Sequence, residues 1–272
     1  MSFIEQSHRK AGLLALILLS LLSSLTASAQ QVNNDYLEGA VVWQQTSGER
    51  RALSYQTFVL ARMMLDRDLR MNRRHRMKRA IIVDVDETIV DNIRYEARMV
   101  KDRVPHTSDR FTDWVNRAEG EAIPGAVEFL RYANSRGVRV FYITNRKQIE
   151  KEGTARNLKK LGFPNVNDET LLVRTDKDSS SKEPRRLSVG AKHRIVLLMG
   201  DNLNDFAEVF ENSKTVDSRN ESVERNKTQF GTRFIVLPNP MYGDWESAIY
   251  GYNFKLTDTE KAAKRKGALK GY

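Results

Sequence analysis

The chain has 272 residues and a mass of 31.3 kDa, with 40% hydrophobic and 29% charged residues, so wholesale disorder is excluded and the length suits one large domain or two small ones. It has no cysteine, which excludes a disulfide scaffold, thiolate metal sites and cysteine nucleophiles. The 45 basic and 35 acidic residues leave a net charge of +10, which favours anionic partners without choosing among phosphorylated small molecules, nucleic acid and acidic membranes.

Residues 1–29 read as an export signal. Arg9 and Lys10 form a basic start, Ala11 to Leu25 is an uncharged apolar run, and Ala27-Ser28-Ala29 is a small-x-small cleavage pattern. Cleavage is therefore expected between Ala29 and Gln30. The run is short for a membrane span, which needs about 20 apolar residues, and the sequence that follows is polar. The mature chain keeps a charge of +9 and is expected in a periplasm or outside the cell. With no cysteine at the new N-terminus there is no site for a lipid anchor.

From Asp35 to about Arg74 the pattern predicts helix, with Leu53, Phe58, Val59, Met63, Leu65 and Leu69 at helical spacing. A basic cluster, Arg73 to Arg79, ends this segment; it reads as a solvated linker or an acidic-partner patch. Ala80-Ile81-Ile82-Val83 is a short β-branched run of the kind that forms a buried parallel strand. Similar runs recur at Val138 to Ile143, Leu171 to Val173, Ile195 to Met199 and Phe234 to Leu237. Helix-like stretches lie between them at Gly125 to Ser135, Gln148 to Leu161 and Leu203 to Asn212, with Gly137 and Gly162 placed as helix terminators. This alternation predicts an α/β fold with a mostly parallel central sheet and helices on both faces. Residues 91–123 interrupt it as an insertion after the first strand. Residues 174–190 are expected as a long polar loop. The expected organisation is a signal peptide over 1–29, a helical segment over 30–79, a core over 80–256 and a charged tail over 257–272.

Ligands of such sheets bind at the carboxyl ends of the strands. There the first strand runs into Asp84-Val85-Asp86-Glu87-Thr88, the second into Thr144-Asn145-Arg146 and the fourth into Gly200-Asp201-Asn202-Leu203-Asn204-Asp205, while Lys182 lies in the preceding loop. Carboxylates gathered in one cleft repel one another unless a cation joins them, and an all-oxygen set suits Mg²⁺. Asp84 is placed to attack phosphorus and form an aspartyl-phosphate. Asp86, two residues on, is placed to protonate the leaving alcohol and then activate water. Asp201 would complete the metal site, and Asp205 would hold Lys182 or a metal-bound water. Thr144, the backbone at Asn145 and Lys182 would neutralise the phosphoryl oxygens. Taken singly, each of these residues also suits a turn, a cap or a solvated loop; their common position at strand ends is what argues for a site. His75, His106 and His193 lack zinc-type spacing, and no Gly-x-x-x-x-Gly-Lys-Ser/Thr loop exists.

These residues resemble the haloacid dehalogenase superfamily, and within it the class C acid phosphatases with four signature aspartates. Asp84, Asp86, Asp201 and Asp205 match the four, and Thr144 and Lys182 match the second and third motifs. The likeness extends to Asp113-Trp114-Val115-Asn116, to Ile123 to Phe129, to Tyr142 to Lys147 and to Pro238 to Glu246, covering roughly residues 40–255. The resemblance implies a three-layer Rossmann-like fold with a small cap and a Mg²⁺-dependent phosphomonoesterase, often a dimer, that favours 5′-nucleotides or nicotinamide mononucleotide. It implies Asp84, the Asp86 backbone carbonyl and Asp201 as metal ligands, with Asp205 acting through water. It also implies an aromatic clamp on the leaving group, for which Trp114 and Tyr242 match, with Tyr95 as a third wall. The other readings are a phosphotransferase to alcohols, which uses the same intermediate, and a silent surface binding protein on the same fold. A nucleic-acid module is disfavoured because no recognised motif accompanies the charge.

Overall fold

The computed structural model describes residues 34–72, 75–175 and 180–272. The expected leader and its cleavage point fall outside the described residues. Five parallel strands form one sheet in the order β5-β4-β1-β6-β7, with β1 at Arg79–Val83, β4 at Arg139–Lys147, β5 at Leu171–Arg174, β6 at Arg194–Gly200 and β7 at Phe234–Val236. A separate antiparallel ribbon pairs β2 (Val90–Asp91) with β3 (Glu121–Ala122).

The unbroken apolar runs follow from burial on both faces of the sheet. Ile81 and Val83 join Val140, Tyr142, Leu197 and Met199 in one core, together with Phe58, Leu65 and Phe129 from helices. Ala80 and Ile82 point the other way, into a second core with Phe141, Ile143, Leu198, Phe206 and Phe210. Side chains alternate along a strand, so a strand covered on both sides needs an apolar residue at every position. Burying each large aliphatic side chain contributes about 1.5–3 kcal/mol.

The expected N-terminal helix is two helices, Glu38–Thr46 and Gly48–Met71. Ser47 takes extended backbone between them, and its side chain accepts the Arg50 amide at 3.0 Å, which starts the second helix. The second helix packs Phe58, Ala61 and Leu65 into the main core. The first packs Val41 against Ile93 and Met241 in a satellite cluster. Residues 91–123 contain the helices Ile93–Asp102 and Ser108–Arg117, bracketed by the β2–β3 ribbon. Arg50 ties the N-terminal helix to that ribbon through a 2.8 Å pair with Asp91.

Two further predicted elements differ. The polar stretch 174–190 is not all loop: Glu183–Gly190 is a helix, opened by Pro184 near its start. Arg186 on it is buried and paired with Glu183 and Glu211. A helix that buries paired charges shows no apolar periodicity. The expected helix Leu203 to Asn212 is a 3₁₀ turn, Leu203–Asp205, then extended backbone at Ala207, then a short helix Glu208–Glu211. The turn is set by reciprocal caps between Asn202 and Asp205. The tail carries a helix, Asp258–Ala268, whose Arg265 guanidinium lies 3.5 Å from the Tyr36 ring centroid. Among the described residues no helix is long and apolar enough to cross a membrane.

Candidate active site

The carboxyl ends of β1 and β6 are neighbours in the sheet, so Asp84 and Asp201 arrive side by side. The Asp84 amide donates to the Met199 carbonyl at 2.9 Å, which extends the pairing past the end of β1. Asp205 comes back to the same point because the 3₁₀ turn reverses the chain after Asp201. Its Oδ2 accepts the Asn202 amide at 3.0 Å. The turn also needs Gly200: a Cβ there would run into the Asp205 carboxyl carbon at 2.6 Å. Carboxylate oxygens of Asp84, Asp201 and Asp205 lie within 4.8 Å of one another.

Lys182 enters this group from the turn before the Glu183–Gly190 helix. Its ammonium donates to Asp84, and to Asp205 Oδ1 at 2.7 Å. Asp201 has no cationic partner among the described residues; it accepts from Thr88 Oγ1 at 3.2 Å and Asn239 Nδ2 at 2.8 Å. Burial, with Asp205 and Asp86 nearby, pushes the Asp84 carboxyl up to about 7 against the pull of Lys182. Burial and the Asp205 and Asp84 charges push Asp201 well above the ordinary carboxylate range. Burial opposes the charge of Lys182 as well, but Asp205 and Asp84 outweigh it and hold the ammonium above its usual range. Two buried carboxylates, Asp84 and Asp205, and the half-buried Asp201 gather around one lysine as a hard-oxygen site, which fits a divalent cation.

Asp86 lies apart from that trio and is held by a guanidinium. Arg146, 3% exposed, donates from Nε and Nη2 to Asp86 Oδ1 at 3.0 and 2.8 Å. Asn92 adds a third donor at 2.8 Å and Thr144 Oγ1 a longer one at 3.4 Å. Burial pushes Asp86 up, but Arg146 and these hydrogen bonds bring it below the ordinary value. Between Asp86 and the insertion the chain turns sharply at Glu87, a buried residue at φ 53° whose carboxylate accepts the Asn92 amide at 3.0 Å.

The remaining predicted residues are distributed as follows. Thr144 is buried at the end of β4, and its Oγ1 also accepts the Arg146 amide at 3.1 Å. Asn145 is exposed on the rim, bonded to the Ser180 carbonyl at 2.9 Å and to Arg185 Nη2 at 2.7 Å. Trp114 is half-buried in the insertion, and its indole N–H donates to Asn92 Oδ1 at 2.8 Å. Tyr95 is only 4% exposed; its ring backs Trp114 at 6.4 Å, and its hydroxyl meets His106 Nδ1 at 3.0 Å. Tyr242 is half-buried against the satellite cluster of Val41, Ile93 and Met241.

Sequence reasoning missed Arg146, Asn92, Thr88 and Asn239 as parts of this site. Arg146 had one usable signal. It stands two residues after Thr144 on a strand, and so on the same face.

Comparison with known proteins places the chain in a family. The family described as HAD superfamily, subfamily IIIB (Acid phosphatase), matches residues 19–245. The chain belongs to this family and is a phosphomonoesterase of the acid phosphatase type. It is similar to the class C acid phosphatase from Bacillus anthracis, with 42% identity, a TM-score of 0.83 and coverage of 88% of this chain and 98% of that one. The crystal structure of that enzyme with tungstate bound gives a TM-score of 0.84 at the same identity, covering 88% and 99%. Among curated proteins, the stem 31 kDa glycoprotein of Glycine max is 25% identical over 217 residues, covering 76% of this chain and 71% of its own. The stem 28 kDa glycoprotein of Glycine max is 22% identical over 219 residues, covering 78% and 73%.

Proposed function

We propose that this acid phosphatase is exported, depends on Mg²⁺ and hydrolyses phosphomonoesters such as 5′-nucleotides or nicotinamide mononucleotide through an aspartyl-phosphate on Asp84. The observation that carries the reading is the division of labour among four carboxylates: Asp84 shares a cluster with Asp201, Asp205 and Lys182, while Asp86 is held separately by Arg146. Export rests on the leader-like sequence of residues 1–29. The tungstate bound by the Bacillus anthracis enzyme supports a tetrahedral oxyanion as the group recognised here.

Asp84, Asp201 and the Asp86 backbone carbonyl are the proposed ligands of Mg²⁺, with Asp205 acting through water. Bound there, the ion would offset negative charge on the transferring phosphoryl group. Asp84 attacks phosphorus; the new Asp84 O–P bond forms as the bond to the alcohol oxygen breaks. Lys182, Thr144 and the rim at Asn145 neutralise the non-bridging oxygens. Asp86 passes a proton to the leaving alcohol. Because Arg146 favours the carboxylate, that proton arrives with the substrate, whose phosphate keeps one below a pKa of about 6. The same ion pair then leaves Asp86 ready to take a proton from the water that cleaves the acyl-phosphate. Trp114, backed by Tyr95, and Tyr242 supply flat faces for the base of the leaving group.

The test is phosphate release by the chain from Gln30 on nicotinamide mononucleotide, 5′-AMP, 3′-AMP and p-nitrophenyl phosphate, each with Mg²⁺ and with EDTA. Metal-dependent release that favours the 5′-nucleotides is expected. Release that survives EDTA would overturn the metal assignment. Equal rates on all four would remove the clamp, and, in a parallel run with an alcohol added as acceptor, a phosphorylated alcohol as the main product would make the enzyme a phosphotransferase.

A further inference from the structure

The sheet has a second pole, at the amino ends of its strands. β1, β4 and β6 each begin with an arginine, Arg79, Arg139 and Arg194, and Arg233 directly precedes β7. The end of the Gly48–Met71 helix meets the same pole: Arg79 donates to the Asn72 carbonyl at 2.6 Å, and the Arg194 amide to the Lys78 carbonyl at 2.9 Å. The acidic groups here are already committed. Asp68 pairs with Arg79 at 2.7 Å and with Arg194 at 2.5 Å, and Glu169 pairs with Arg139. Six more cations, Arg67, Arg70, Arg76, Lys78, Lys192 and Arg233, are exposed and have no ion-pair partner among the described residues. A helix C-terminus attracts cations by its dipole, which accounts for Arg70 in a last turn. It does not account for Arg76, Lys78, Lys192 or Arg233, which lie outside the helices.

The pole is also apolar in places. A cavity of about 780 Å³ opens there, lined by Met64, Met71 and Met77 with Arg67, Arg194 and Arg233 around them. Met71 is 70% exposed and Met77 38%. Flexible thioether side chains within a cationic rim suit an amphiphile with an anionic head. A single-stranded nucleic acid would call for aromatic faces to stack its bases, and no Phe, Tyr or Trp is among the described residues that line the cavity; a duplex, held through its phosphates alone, would leave the exposed methionines without a role.

We propose that this pole docks on an anionic phospholipid bilayer, with the cations on the headgroups and Met71 and Met77 in the interfacial layer. The aspartate cluster sits at the opposite ends of the strands, so a docked molecule keeps its active site turned toward solvent. Each cation near such a surface strengthens partition about fivefold.

The test is co-sedimentation of the chain from Gln30, which contains the whole compact unit 34–272, with phosphatidylcholine vesicles that contain or lack phosphatidylglycerol, at low and high salt. Expected is binding to the anionic vesicles alone, weakened by salt. R76E/K78E should bind at least about 25-fold more weakly and still hydrolyse p-nitrophenyl phosphate at the parent rate, because both residues lie far from the site. M71S/M77S should lower the salt-resistant fraction of binding. Equal binding to both kinds of vesicle would overturn the proposal, as would undiminished binding by R76E/K78E. So would displacement from the vesicles by duplex DNA at matched charge, which would mark a general polyanion surface.

Discussion

Arg146 and Asp86 form a largely buried ion pair outside the aspartate cluster, and its worth is open to a double-mutant cycle. Arg146→Met keeps the aliphatic stem and removes the guanidinium, which bonds Asp86 and also Thr154 Oγ1 at 3.0 Å. Asp86 is then left with Asn92 and Thr144 as donors. Breaking one side of a buried pair costs about 3–5 kcal/mol. Asp86 keeps 20% of its side-chain exposure, so water relieves part of the loss and the lower end, about 3 kcal/mol, is expected. For a domain of this size that corresponds to a fall in Tm of about 6–12 °C. Asp86→Asn alone strands the Arg146 charge and should cost a similar amount. The double variant should lose less than the sum, with a coupling of about 1–3 kcal/mol. Thermal or denaturant unfolding of all four proteins at pH 7 in EDTA measures it. Additive losses, with a coupling below about 0.5 kcal/mol, would refute the pairing as an energetic unit.

Asp68 offers a test with pH. Burial pushes its carboxyl up, but hydrogen bonds from Arg194, Arg79 and Asn72 outweigh burial and hold it below the ordinary value of 3.8. A group with a lowered folded-state pKa stabilises above its unfolded value, and that contribution is lost as the pH falls through the folded value. Asp68→Asn should therefore cost about 2 kcal/mol at pH 7, after allowance for screening at a partly open site, and the gap to the parent should narrow below pH 3.8; an equal gap at pH 7 and pH 3 would contradict this. Gly200→Ala should push Asp205 off Lys182 and the Asn202 amide, lowering stability by about 1–3 kcal/mol and Mg²⁺ affinity measured by calorimetry by about tenfold; unchanged metal affinity would show that the turn adapts. Trp114→Ala should lower kcat/KM for 5′-AMP about tenfold more than for p-nitrophenyl phosphate, since base stacking is worth about 1–3 kcal/mol. Equal losses on both would make Trp114 packing for Tyr95.

The fold was legible where burial is symmetric. Ala80 to Val83 is apolar at every position because helices cover both faces of β1, and the other strands follow the same logic. The aspartates were legible because strand ends are where an open sheet exposes its chemistry. What escaped is what depends on partners distant in sequence. The Glu183–Gly190 helix carries charges that are buried only because Glu211 comes to meet Arg186. The break after Asp205 follows from a side chain turned back on Asn202 and toward Lys182, which local periodicity does not register. Arg146 looked like any strand-end cation until Asp86, 60 residues earlier, was brought against it.

The most direct test of Asp84 as the nucleophile is a rapid acid quench during turnover, followed by hydroxylamine or borohydride treatment and peptide mass spectrometry. The expected result is a hydroxylamine-labile acyl-phosphate on the peptide that contains Asp84, absent in Asp84→Asn, which should fold normally and lose turnover by more than about a thousandfold. A fully active enzyme that yields no phosphopeptide, together with near-parent activity in Asp84→Asn, would contradict covalent catalysis at this carboxylate.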